Sequence, residues 1–202
     1  MFLCPLLTMS AHFCVALLAL CSLTAASDPE CAELLKPLEE RSQVSGKWIL
    51  HVGTSDNEEI LKGLKDFNSS QIELSPIPDS DNMTLRWMDR VNGKCIHGEV
   101  NGTFIKNDTE VTFHFKIHTQ EQAGKHLQTC AGCILWSGES KQGRNLFLFT
   151  KSGKLDDADH DVFKKQAACL NFPAEFHYSE TTDLCPEEEE EEAATDVKEG
   201  EH

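Results

Sequence analysis

Short segments in which apolar and polar residues alternate constrain this chain most strongly, because alternation predicts β-strands rather than helices. The clearest segment covers residues 110–118, in which Val111, Phe113, Phe115 and Ile117 alternate with polar residues. Runs of the same kind lie at 47–54, 70–77, 83–90, 94–104, 133–137 and 145–150. A chain with so many short strands is expected to fold mainly as β-sheet.

The segments between these runs are rich in residues that form turns. They read "SPIPDSDN", "VNG", "KNDT" and "SGESKQG", and turns favour Gly, Pro, Asn, Asp and Ser. Consecutive strands are therefore expected to pair as antiparallel hairpins. A regular succession of hairpins is typical of a β-sandwich or of an up-and-down barrel.

Two segments show a helical pattern instead. Residues 57–65 are predicted to form a short helix capped by Asn57. Residues 156–170 are predicted to form a longer helix, because acidic residues begin it and its apolar residues lie on one stripe. The stripe needs a partner, and the strand at 145–150 can provide one because both of its faces are apolar.

The first 26 residues contain no Lys, Arg, Asp or Glu, and their apolar stretch "FCVALLALCSLTAA" ends in small residues. This pattern predicts a secretory signal peptide over residues 1–26, although a start at Met9 would give a more compact signal. The apolar stretch is shorter than the roughly 20 residues that a membrane-spanning helix needs. We therefore expect a secreted, extracellular protein whose main domain covers residues 27–186.

The formal net charge of −16 is unevenly distributed. Residues 187–202 hold nine acidic residues and one lysine, with almost nothing apolar to bury, so an acidic, disordered tail is expected there. The acidic balance argues against nucleic acids and anionic membranes as partners, because both attract clustered Lys and Arg.

Six cysteines lie outside the predicted signal peptide: Cys31, Cys95, Cys130, Cys133, Cys169 and Cys185. An even number in a secreted chain indicates disulfide bonds, but the spacing alone does not select the pairing. Four Asn-x-Ser/Thr triplets predict a glycoprotein with these asparagines on its surface. The triplets begin at Asn68, Asn82, Asn101 and Asn107.

A Gly-x-Trp motif, Gly46 and Trp48 in "SGKW", opens the first predicted strand. Together with the many short strands and one late helix, it resembles the signature of the lipocalin family. Further segments resemble the alpha-1-acid glycoprotein group of that family: "ECAELLKPL", "SGKWILHVGTSDNEEI", "GKCIHGEVNGT", "VFKKQAACL" and "TTDLCP". The stretch "QTCAGCILWSGESKQGRNLFLF" is similar to apolipoprotein M. The resemblance covers nearly all of residues 30–186, but the family's Thr-Asp-Tyr motif and its later arginine, which stacks on the tryptophan, are not visible.

The resemblance implies an all-β fold, namely an eight-stranded up-and-down antiparallel barrel with a C-terminal helix packed on its outside. In such a barrel Gly46 lets the chain cross the closed end, and Trp48 seals that end. A barrel of this size is just wide enough for one small ligand. The candidate ligand contacts are aromatic residues on strands: Trp87, Phe113, Phe115, Trp136, Phe147 and Phe149. Alternation does not tell which strand face lies inside, so several of them are expected to be packing residues.

The resemblance also implies two disulfide bonds, Cys31 with Cys169 and Cys95 with Cys185. In apolipoprotein M the cysteine resembling Cys130 pairs with one near the start of the helix, where this sequence has none. We therefore hypothesise a bond between Cys130 and Cys133. The alternative is a soft-ligand site, since two reduced thiols could coordinate an organotin compound or a metal.

The function implied is transport of a small hydrophobic or amphipathic ligand in plasma or a similar fluid. The ligand class extends from lipids and drug-like compounds to toxins and organotins, because the group includes fish plasma proteins that bind tributyltin or saxitoxin and tetrodotoxin. Such a carrier needs no cofactor, a monomer is expected, and no catalytic motif stands out, so enzyme activity is not expected. The histidines are too scattered for a metal site. One or two of them could line the barrel and hydrogen-bond a polar ligand, but the preferred interpretation is that they face solvent.

The alternative is an interaction protein of the apolipoprotein M type. In that case the glycans and the acidic tail would recruit a lipoprotein or a cell-surface receptor, and the barrel would be a scaffold.

Overall fold

The structure is a computed structural model that describes residues 29–107, 110–117 and 120–187. Its strands are β1 Gly46–Ser55, β2 Phe67–Pro76, β3 Asn82–Val91, β4 Lys94–Asn107, β5 Glu110–Ile117, β6 Gln120–Leu127, β7 Cys133–Ser140, β8 Gly143–Thr150 and β9 His177–Tyr178. Its helices are α1 Pro29–Leu34, α2 Glu58–Leu64 and α3 Asp157–Cys169, and a 3-10 turn covers Arg41–Gln43. None of the described helices is long and apolar enough to cross a membrane.

The predicted signal peptide and all but the first residue of the predicted tail lie outside the described residues. Glu187, where the tail was predicted to begin, forms an ion pair with Lys47 at the start of β1. Its hydrogen bond raises the pKa of the Lys47 ammonium above the ordinary value. The domain boundaries stay a prediction.

Strands β1 to β8 close into an up-and-down barrel. Each pairs antiparallel with its neighbour in sequence, and β1 closes the sheet by pairing with both β2 and β8. The turn between β3 and β4 shows why neighbours pair, since Asn92 and Gly93 have φ values of 49° and 77°, as a type I′ hairpin turn requires. With α3 on the outside of the sheet, the predicted fold class is confirmed.

Trp48 is buried in the apolar cluster inside the barrel, two residues after the start of β1, and its role in closing this end of the barrel stays a prediction. Gly46 leads into the strand with a φ of 108°, a conformation that other residues rarely adopt. Trp48 is 2% exposed, and its indole nitrogen donates a hydrogen bond to the Val44 carbonyl oxygen over 2.7 Å. The Lys151 ammonium lies 4.9 Å from the centroid of the Trp48 ring. The cation that stacks on Trp48 is therefore the lysine Lys151. The arginine that stacks on this tryptophan in other lipocalins was not visible in the sequence.

Strand β8 separates two apolar clusters, because both of its faces are apolar. Phe147 and Phe149 belong to the cluster inside the barrel, which also contains Trp48. Leu146 and Leu148 on the opposite face pack in a second cluster that contains Phe163 of α3. The prediction that one face of this strand meets the late helix is confirmed.

Three disulfide bonds tie the peripheral segments to the barrel. They link Cys31 with Cys169, Cys95 with Cys185, and Cys130 with Cys133. The first joins α1 to α3, and the second holds the segment before the tail on β4. These are the pairings expected from the sequence. In the third bond the sulfur atoms of Cys130 and Cys133 are bonded to each other. Neither cysteine therefore offers a free thiol to a soft ligand in this structure.

Strand β6 has no counterpart among the predicted strands. It reads "QEQAGKHL", which shows no apolar alternation, yet it pairs along its length with β5 and β7. Strand β7 also continues to Ser140, and only residues 141–142 of the predicted turn "SGESKQG" separate it from β8. Pairing with two neighbours therefore outweighs weak intrinsic strand propensity in this part of the barrel.

Candidate ligand-binding cavity

A cavity of about 380 Å³ lies inside the barrel. Ten of the side chains that line it are apolar, and the aromatic ones are Phe67, Trp87, Trp136, Phe147 and Phe149. Four polar residues complete the lining: Ser70, Asp89, Gln122 and His126. Mostly apolar walls with a few polar groups, at this volume, are typical of sites for one small molecule.

Glycines on neighbouring strands make room for the two cavity tryptophans. Gly98 on β4 pairs with Trp87 on β3, and a Cβ at Gly98 would lie 1.9 Å from Trp87 Cζ2. A Cβ at Gly124 on β6 would lie 2.7 Å from Trp136 Cζ2. Because any side chain at these positions must displace an indole, the position of both rings depends on the glycines.

Four of the six predicted contacts line this cavity. Trp136 and Phe149 are buried, whereas Trp87 and Phe147 are partly exposed within it. Phe113 and Phe115 lie on β5, where the backbone register pairs them with Phe104 and Gly102 but their side chains are outside the described part. A ligand-binding role stays a prediction for all six.

Asp89 is the carboxylic acid among the four polar residues of the lining. It lies on β3 two residues after Trp87, and it pairs with Ser70 on β2, whose hydroxyl donates a hydrogen bond to it. Its Oδ1 atom is buried and has no hydrogen-bond partner among the described residues. Burial raises the pKa of Asp89 to about 6, although the Ser70 hydrogen bond and nearby His97 favour the ionised form.

His126 is the second titratable group of the cavity. It pairs with Trp136 across β6 and β7, and the two ring centroids are 5.1 Å apart. Burial lowers the pKa of its imidazole to about 4, so the side chain is neutral at pH 7. His126 therefore fits the alternative that one or two histidines line the barrel, whereas His97 and His114 are exposed, as the preferred interpretation expects.

Helix α2 lies at the open end of the barrel. The Asn57 side-chain oxygen caps it by accepting hydrogen bonds from the N–H groups of Glu59 and Ile60, as the sequence predicted. Leu61 and Leu64 are its buried residues, and Leu64 lines the cavity. The apolar side of the helix thus forms part of the cavity wall.

The residues at both ends of α2 are hydrogen-bonded to neighbouring parts of the barrel. Before the helix, Asp56 accepts hydrogen bonds from Arg144 Nε and from the Arg144 N–H, each over 2.7 Å. Burial alone would raise the pKa of Asp56, but these bonds from Arg144 lower it below its ordinary value. After the helix, the Asp66 carbonyl accepts from the Asn92 N–H in the β3–β4 turn. The start of β8 and the β3–β4 turn therefore hold the helix in place.

The predicted glycosylation sites whose side chains are described, Asn68, Asn82 and Asn101, are not part of the cavity lining. Asn82 and Asn101 are exposed, and Asn68 is partly buried with its side-chain oxygen accepting from the Gly93 N–H. The side chain of Asn107 is outside the described part, and glycosylation of all four stays a prediction. Among the described residues, no group of three or more His, Cys, Asp or Glu side chains is placed to hold a metal ion.

Sequence reasoning singled out none of the four polar lining residues, although it allowed one or two histidines to line the barrel. Asp89 carried a usable signal, since Leu85, Trp87 and Asp89 are two residues apart and share one strand face. An aspartate in phase with large apolar residues is unusual for a closed core and indicates a cavity. Gln122 and His126 carried no such signal because their strand was not predicted.

Comparison with protein-family models gives no match, and comparison with curated proteins gives no relative. Solved structures do match. The siderocalin Ex-FABP has a TM-score of 0.59 at 16% identity, over 68% of this chain and 94% of that one. A dog lipocalin allergen has a TM-score of 0.58 at 18% identity, over 71% and 98%. Odorant Binding Protein OBP1 has a TM-score of 0.60 at 16% identity, over 75% and 99%. The chain therefore has the lipocalin fold.

Proposed function

We propose that this chain is a secreted, glycosylated member of the lipocalin family that binds and carries a small hydrophobic or amphipathic molecule. The observation that carries the proposal is the cavity of about 380 Å³ inside the barrel, which Leu64 of α2 helps to line. Burial of apolar ligand surface supplies affinity, and the few polar groups orient the ligand, so no catalytic group is needed.

Two further observations support the proposal. OBP1 is named for odorant binding and Ex-FABP for dual ligand specificities, so proteins with this fold hold small ligands. The three disulfide bonds suit an oxidising, extracellular compartment. Within the family we propose the alpha-1-acid glycoprotein group, on the strength of the segments quoted above.

An apolar fluorescent probe, N-phenyl-1-naphthylamine, tests the cavity directly. We expect saturable binding to the secreted protein, because the probe can bury both of its aromatic groups among the cavity side chains. Ile72→Trp adds a bulky ring to the lining on β2 and is expected to weaken probe binding by about tenfold or more, which corresponds to about 1.4 kcal/mol.

Glu73→Trp is the matched control, because it places the same ring on the next residue of the same strand, which is not part of the lining. It is expected to leave probe binding unchanged, and thermal unfolding of both variants shows whether they fold. If the wild-type protein binds no probe, or if the two variants bind it equally well, the cavity is not the binding site. The alternative function, an interaction protein of the apolipoprotein M type, would then replace the carrier function.

A further inference from the structure

We propose that His51 and His160 form a binding site for a divalent copper or zinc ion outside the barrel, where α3 packs on β1. The centroids of the two imidazole rings are 5.4 Å apart, and the angle between the ring planes is 78°. Neither histidine lines the cavity. The inference therefore goes beyond the carrier function and does not depend on it.

An irregularity in β1 places His51 beside the helix. Leu50 of β1 pairs with Phe149 of β8, and it belongs to the cluster inside the barrel. Val52 pairs with the preceding residue, Leu148, and belongs to the cluster under α3. The extra residue between these two pairs is His51, which has no partner on β8. A bulge of this kind re-aims the side chain that it contains, and here the imidazole meets the ring of His160.

His160 lies on the side of α3 that packs on the barrel. It precedes Phe163 by three residues and Ala167 by seven, which is the spacing of one helical face, and both of these residues are buried. His51 and His160 are only partly buried, so an ion can reach them from solvent. The fold thus brings together two histidines that lie far apart in the sequence.

The separation of the two rings suits one shared metal ion. Zinc binds a ring nitrogen at about 2.1 Å, so two imidazoles at a tetrahedral angle around one ion have centroids about 5 Å apart. The observed distance of 5.4 Å is close to that value. The Nδ1 atom of His51 is buried and has no hydrogen-bond partner among the described residues. Burial and the nearby His160 lower the pKa of His51, so its imidazole is neutral at pH 7, as a metal ligand must be.

The ligand type selects the class of ion. Imidazole nitrogens suit copper and zinc, whereas magnesium and calcium take oxygen ligands. Asp157 and Asp159 in the first turn of α3 add negative charge close to His160, which favours a cation there. Two nitrogen ligands leave the other coordination positions of the ion to water or to a second ligand.

Titration of the intact secreted protein with Cu²⁺ tests the site, because copper binds a given set of nitrogen ligands more tightly than zinc does. We expect the electron paramagnetic resonance spectrum of the first bound equivalent to show splitting from two imidazole nitrogens. His51→Gln and His160→Gln each remove one ligand, and each is expected to weaken binding by about tenfold or more and to leave splitting from one nitrogen. His114→Gln is the matched control, because His114 is an exposed histidine on β5. It is expected to change neither result.

Tyr178 of β9 gives a readout that needs no change at either histidine, so it decides the question even if a variant does not fold. It is the only tyrosine in the sequence, and its ring centroid lies 5.5 Å from that of His160. In protein labelled with 3-fluorotyrosine, one equivalent of paramagnetic Cu²⁺ is expected to broaden the single fluorine resonance. A resonance that stays sharp overturns the site. So does copper binding that is as tight in His160→Gln as in the wild-type protein, or that His114→Gln weakens as much.

Discussion

At the scale of single residues, Asp89 shows how a cavity group affects stability. Its pKa is about 6 in the folded protein against an ordinary value of 3.8, so the folded state holds this proton more tightly than the unfolded state. Stability is therefore expected to fall as pH rises from about 4 to about 6, by at most about 3 kcal/mol. Ionised Asp89 is costly to the empty protein above this range.

Replacing Asp89 by Asn removes this cost. We expect Asp89→Asn to raise the free energy of unfolding by about 1–2 kcal/mol at pH 7.5, less than the full difference because an amide also needs partners. At pH 4 the change should be small, because the carboxyl of the folded wild-type protein is then protonated. Urea unfolding at the two pH values measures both. If Asp89→Asn destabilises the protein at pH 7.5, the claim that the Asp89 carboxylate is buried with too few hydrogen-bond partners is wrong.

His126 changes stability in the opposite direction. Its pKa is lowered from 6.5 to about 4, so the unfolded state takes up a proton that the folded state rejects. Stability is expected to be lost as pH falls from about 6.5 to about 4, by at most about 3 kcal/mol. His126→Gln should reduce this loss, because the amide does not titrate. If the variant loses as much stability as the wild-type protein between pH 7 and pH 4.5, the imidazole is not the cause.

At the scale of elements, the disulfide bonds should differ in what they contribute. The bond between α1 and α3 closes a sequence separation of 138 residues, whereas the bond between Cys130 and Cys133 closes three. In the chain-entropy model the first contributes about 5 kcal/mol and the second about 2 kcal/mol, both upper estimates.

Paired serine substitutions compare the two bonds without leaving an unpaired cysteine. We expect Cys31→Ser with Cys169→Ser to lower the free energy of unfolding by about 3 kcal/mol more than Cys130→Ser with Cys133→Ser. Urea unfolding of both double variants gives the difference. Equal losses would mean that the long bond acts through local packing rather than through the unfolded chain.

The same scale shows which elements a sequence can predict. Strand β8 was predictable because both of its faces are apolar, and each face packs in a different cluster. Helix α3 was predictable because its N-terminal cap and its apolar stripe are local features of the sequence. Strand β6 was not, because it presents Gln122, Gly124 and His126 in place of apolar side chains. Its conformation follows from pairing with β5 and β7, which a local pattern does not contain.

At the scale of the whole molecule, the binding cavity is a property of the closed barrel rather than of any one segment. Its walls come from six strands and α2, each of which supplies one to four side chains. Four of the six aromatic candidates line the cavity, because the walls of such cavities consist mostly of large apolar residues on strands. The polar residues depend on which faces meet after closure, so local alternation did not single them out.

Native mass spectrometry of the secreted, deglycosylated protein tests the central claim, that the barrel holds a small molecule. We predict a single bound mass that is lost on denaturation and is recovered by solvent extraction. A chain that carries no such mass and also fails to bind N-phenyl-1-naphthylamine would contradict the carrier function.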